Sequence, residues 1–275
     1  MTVIKNRVFV VCITLTLIHL FSSLVYPWSS ATHTFIAQKA GVPNPEYANF
    51  PDLSRNENYS LLVPLHWHDA APSTIVTPDY IDQYQTTVVE YVKAGACESR
   101  PLKIKVPDHA GVLYWKILEL YQQMKGKTGW EYDYYLFNIA HYVGDLSQPL
   151  HNFPYGNEPA SDGKIYSEIG IWSKENHRAF DDILESSFPL DPKADKTFDS
   201  WIAVPSIRSV DDLKREISSV ANHSIALANR CYSERRIITK DEALKQVAMS
   251  VALLKGIIAS TKSNGGGRRN ESSQK

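Results

Sequence analysis

An all-α, single-domain multi-helix bundle is the fold this sequence predicts, on three observations. Apolar residues recur at three- and four-residue intervals over long segments. Valine and isoleucine runs with period two are missing. Prolines (Pro43, Pro45, Pro51, Pro64, Pro72, Pro78, Pro101, Pro107) gather in the stretches between the periodic segments. The chain has 275 residues, 43% hydrophobic and 21% charged, enough for one sizeable core. A formal net charge of -1 excludes an overall basic field that would collect nucleic acid or anionic membrane, so any phosphate affinity must be local.

Along the chain, Lys5 and Arg7 precede a nearly uninterrupted apolar run from Val8 to Val25, the pattern of an export signal. Residues 1–27 therefore read as a signal, cleaved to give a periplasmic or secreted protein, or retained as a membrane anchor, for which the run is short. A cut before Trp28 leaves Pro27 where a small residue is preferred, whereas a cut after Ala31 removes Trp28. Helices are then expected over Trp28–Ala40, Tyr80–Ala96, Ala110–Met124, Tyr132–Leu146, Lys174–Leu184, Val210–Tyr232 and Lys240–Ile258, where the apolar spacing is helical. Residues 28–262 make the one domain, and residues 263–275, with almost nothing to bury, read as a disordered tail. Cys12 lies in the signal, leaving Cys97 and Cys231 as the only pair available for a disulfide.

The chemistry concentrates between His141 and His151. His141 and Asp145 lie one helical turn apart on a single face, Pro149 ends the helix, and His151 projects from the turn that follows, so three metal-competent side chains can aim at one point. His177 and Asp181 repeat the same spacing. His33, Asp52, His66 and His68 are further candidates, each weak alone, because a lone histidine is more often a core or surface residue. Two such His/Asp pairs together with His151 point to a metal cluster. His109 reads as a turn residue and His223 as a surface one.

At these residues the chain resembles the superfamily of zinc-dependent phospholipases C and single-strand-specific nucleases. The resemblance extends from Trp28 to about Asp181, and its most specific block is His-aromatic-x-Gly-Asp-x-x-Gln-Pro-hydrophobic-His, met by His141, Tyr142, Gly144, Asp145, Gln148, Pro149, Leu150 and His151. Trp28 followed by His33, and Asp52 one loop before His66-Trp67-His68-Asp69, agree with the family's spacing, and alignment on Leu-His-aromatic-x-Asp selects His66 over His68.

The resemblance implies a trinuclear cleft holding three zinc ions. The first ion would take Asp52, His66, His141 and one oxygen of Asp145; the second His151, His177 and Asp181; the third His33, the other oxygen of Asp145, and the amine and carbonyl of Trp28. Neutral imidazoles and carboxylates suit zinc, and a bridging carboxylate holds two cations together against their repulsion. The reaction implied is metal-assisted hydrolysis of a phosphodiester, with Asp52 orienting the attacking water or accepting its proton. The substrate would be a phospholipid, with transient membrane-surface contact, or single-stranded nucleic acid, with Trp67 stacking on a base and Asp69 accepting a hydrogen bond from it. In a simpler reading Trp67 packs beside the site and Asp69 caps it.

Several features divide the two activities. Asp181 stands where the phospholipases usually carry Glu, and the stretch from His151 to His177 is long, both as in the nucleases. Gly111–Tyr121 resembles the helix preceding the metal helix in bacterial phospholipase-like proteins, and a wealth of cysteines is missing. The margin favours phospholipase C, with Tyr132–Tyr135 or Trp172 as a candidate apolar rim, although Tyr132–Tyr135 read more simply as core and groove residues at helical spacing. Two readings from other classes are a zinc-binding protein without turnover and a membrane-anchored helical scaffold. No protein partner is indicated.

Overall fold

Helix α1 (Ser30–Ala40) buries His33, Phe35, Ile36, Ala37 and Ala40 and ends at Gly41, whose φ of 81° is the left-handed conformation that closes many helices. A 3-10 turn (Pro45–Asn49) leads into the short α2 (Phe50–Arg55). Then follow α3 (Leu113–Met124), α4 (Gly129–Ser147), a 3-10 turn (Pro149–Asn152), α5 (Ser167–Asp182), α6 (Pro192–Ser200), α7 (Val210–Ser233) and α8 (Lys240–Lys262). These elements belong to a computed structural model that describes residues 28–55, 63–83 and 110–262. Among the described residues the architecture is all-α, and the one β-type pairing is an isolated bridge between Pro159 and Ile165.

Helix α4 is the axis of the bundle. It packs against α1, α3, α7 and α8, and every residue from Ile139 to Ser147 is buried. A helix apolar enough to be covered on all sides belongs at the centre of a core, and α4 meets that condition only in its second half. Its first half presents Trp130 and Tyr134 to solvent. From below, Ser250 Oγ of α8 donates to the Val143 carbonyl at 2.7 Å, and Ser224 Oγ of α7 to the Leu146 carbonyl at 3.0 Å. Helix α8 is long and apolar enough to cross a membrane, yet most of that stretch is buried inside the bundle, as in a core helix.

The periodic segments at 110–124, 210–232 and 240–258 coincide closely with α3, α7 and α8. Helix α5 begins at Ser167, seven residues before the expected start. Its inward face carries Ser173, His177 and Asp181 among Trp172 and Phe180, so polar residues interrupt the apolar stripe. Helix α6 was not foreseen: Phe198 is its only buried residue, and its start is set by Asp191, which accepts hydrogen bonds from the Lys193 and Ala194 N–H groups with Pro192 in the first turn. Cys231 is a free thiol in the core. The expected export signal, most of the helix expected over Tyr80–Ala96, Cys97, His109 and the expected tail lie outside the described residues.

Candidate metal centre

The centre is built on the last turns of α4. His141 Nδ1 donates to the Ala48 carbonyl at 2.8 Å, which fixes the ring and turns Nε2 toward the interior. Nε2 lies 3.2 Å from Asp145 Oδ2, 3.0 Å from His66 Nδ1 and 3.7 Å from Asp52 Oδ1. His66 Nδ1 is itself 2.9 Å from Asp145 Oδ2 and 3.8 Å from Asp52 Oδ1. Asp52, His66 and His141 thus form one buried group able to hold a metal ion.

Asp145 turns its other oxygen elsewhere. Oδ1 lies 3.5 Å from His33 Nε2 and 3.5 Å from His151 Nδ1, and none of these three atoms has a hydrogen-bond partner. His33, His141 and Asp145 make a second group, with the His33 and His141 rings stacked 4.1 Å apart. His151, His177 and Asp181 make the third: the two rings stack at 5.1 Å, and His177 Nδ1 meets Asp181 Oδ2 at 2.7 Å. In each group the donor atoms all lie within 4.8 Å of one another. These three buried clusters could bind metal ions, and the buried donor atoms of His33, Asp145 and His151 that lack protein partners are ones a cation would satisfy.

The electrostatics prepare the same outcome. Burial alone would raise the Asp145 carboxyl, but attraction to His141 and hydrogen bonds from the imidazoles hold it well below the usual carboxylate range. Burial favours the neutral form of His151, and burial reinforced by repulsion from His141 does the same for His33. Burial also opposes charge on His141, yet Asp145 and Asp52 outweigh it and raise its pKa. Burial raises Asp181, with His177 opposing. An anion flanked by the neutral imidazoles of His33 and His151 suits a divalent cation.

Gly144 is required by close approach. A Cβ there would meet His33 Nδ1 at 2.6 Å and Cε1 at 2.8 Å, both from a ring wedged between α1 and α4. Gly144→Ala is expected to displace His33 and release one bound ion per chain, a change readable by metal analysis, while α4 keeps its helicity.

Of the remaining candidates, Trp28 is fully buried and its indole Nε1 donates to Ser147 Oγ at 3.2 Å, two residues beyond Asp145. His68 lies apart from the clusters: its ring contacts Tyr80 Oη at 2.6 Å and the Gly111 carbonyl at 3.3 Å, and burial lowers its pKa to about 4. Trp67 is half-buried, its carbonyl pressed so near Gly111 that a Cβ there would approach it to 2.1 Å. Asp69 is not a helix cap. It is buried with Oδ1 unpartnered, and burial, with Glu158 nearby, raises its carboxyl well above the usual range.

His223 is exposed. Tyr132 is buried, in keeping with its reading as a core residue, whereas Trp172, a candidate for the apolar rim, is buried against Phe180 and Tyr232 because its helix turns that face to the core. Two exposed aromatic residues of α4, Trp130, 78% exposed, and Tyr134, share a helix face with Phe137 and His141. Tyr47 packs edge-on against Phe137 at 5.2 Å, and Phe50 and Leu53 stand exposed on α2 beside Asp52. Spacing gave no sign of these roles, because exposure depends on what the neighbouring elements leave uncovered. No protein-family model matches the chain, and no curated protein matches it, so the geometry of these side chains carries the functional reading.

Proposed function

We propose that this chain is an exported zinc-dependent phosphodiester hydrolase of the phospholipase C type, from the superfamily its motifs resemble. The observation that carries the reading is the sharing of Asp145: its two oxygens face two different imidazole groups, with His151 of a third group beside one of them. A tetrahedral zinc site with bonds of about 2.0–2.1 Å has donor atoms about 3.3 Å apart. The separations among Asp52, His66, His141 and Asp145, from 2.9 to 3.8 Å, straddle that value.

When bound, the ions neutralise phosphate oxygens and lower the pKa of a water toward neutrality. Asp52 is the carboxylate we assign to orient that water and take its proton. His33, His66, His141, His151, His177 and Asp181 complete the ligand set, with Trp28 as a further candidate. The exposed Phe50 and Leu53 beside Asp52 support a lipid substrate, since an enzyme acting at a bilayer needs apolar side chains at its rim. A nuclease is the second reading, favoured by the unpartnered Asp69 Oδ1 beside the half-buried Trp67.

The test is hydrolysis of a chromogenic phosphodiester with added zinc. Asp52→Asn is expected to lower turnover by at least about a hundredfold. Zinc binding without turnover by the unaltered chain would support a zinc-binding protein instead. Parallel assays on phosphatidylcholine vesicles and single-stranded DNA then separate the two enzymes.

A further inference from the structure

We propose that Gln148 is a positioning residue for the His151/His177/Asp181 cluster, locking the turn that bears His151 to the carboxylate of Asp181 and leaving Asp181 one oxygen for a metal. This rests on reading those three residues as metal ligands. Gln148 is fully buried at the point where α4 ends. Its Oε1 accepts from the Leu150 and His151 N–H groups, the latter at 3.1 Å, and so caps the 3-10 turn. Its Nε2 donates to Asp181 Oδ1 at 2.7 Å.

Asp181 Oδ2, the other oxygen, is the one that meets His177 Nδ1. One side chain therefore fastens two candidate ligands that come from different elements and lie thirty residues apart. An amide is the group that can do both, because its two ends are a donor and an acceptor. Glutamate of the same length retains the acceptor, and methionine retains neither end.

The geometry also bears on coordination. With Oδ1 engaged by the amide, Asp181 offers a single oxygen, and His151, His177 and Asp181 together supply three donors. A four-coordinate ion held that way keeps one position for water or substrate oxygen, which distinguishes catalytic from structural zinc sites. Losing the amide frees Asp181 to bind through both oxygens and close that position.

The experiment compares the full chain with Gln148→Met and Gln148→Glu at pH 8. Metal content is followed by mass spectrometry across a chelator series, with visible spectra of cobalt-reloaded protein. In both variants one ion per chain is expected to be held about 10–100-fold more weakly, the others unchanged. The cobalt bands are expected to weaken as coordination number rises, a change that a merely structural glutamine would not cause. Should Gln148→Met fail to fold, Gln148→Glu, which keeps the cap on the turn, decides. Wild-type affinity for every ion with an unaltered cobalt spectrum in Gln148→Glu overturns the proposal while leaving the metal centre intact. Failure of the unaltered chain to bind any metal overturns both.

Discussion

Asp145→Asn is expected to leave the chain with at most one bound ion and, under the proposed function, no measurable phosphodiester hydrolysis. Asp145 contacts four imidazoles: His66 at 2.9 Å and His141 at 3.2 Å through one oxygen, His33 and His151 at 3.5 Å through the other. An amide of the same shape has one acceptor and no charge, so it can neither bridge two cations nor offset their repulsion. His141, whose pKa the two aspartates raise, also loses its strongest partner. Removing one member of a buried ion pair costs about 3–5 kcal/mol, and a loss of that order is expected in urea unfolding of the metal-free variant. Wild-type metal content in Asp145→Asn would contradict the assignment of the bridge.

Chelation should be nearly as disruptive. An ion present at about a thousand times its Kd adds about 4 kcal/mol of stability. Each kcal/mol is worth about 2–4 °C for a domain of this size, so stripping even one site should lower the thermal midpoint by about 10 °C. The physical cause is visible in the buried atoms of His33, Asp145 and His151 that no protein group satisfies. Calorimetry with and without chelator measures the difference, and restoration by zinc separates reversible loss from aggregation. A midpoint indifferent to both treatments would show that the clusters stabilise themselves.

Much of this was legible because periodicity and chemistry are separate signals. α7 and α8 announce themselves through long stripes in which apolar residues outnumber the few buried polar ones. α5 is harder to delimit because part of the face it buries is the ligand-bearing one. Within the centre, local spacing suffices for His141, Asp145 and His151, which sit on one helix end and its turn. His33, Asp52 and His66 come from distant elements, and spacing alone cannot join them. Spacing alone does not separate His66 from His68, although alignment on the family motif prefers His66; in the structure His68 is engaged by Tyr80 and Gly111. The amide of Gln148 is visible as a letter in a motif, but its two-ended engagement emerges only once α5 is packed against the turn.

The C-terminal helices contribute no candidate ligand, yet the hydroxyls of Ser224 and Ser250 grip carbonyls of the very turns that carry Gly144 and Asp145. Helices α7 and α8 thereby form a footing beneath the turns that carry the candidate ligands, and α7 also packs against the turn that bears His151. Variation in α7 and α8 is accordingly a route to adjusting the spacing of the candidate ligands without altering any of those side chains.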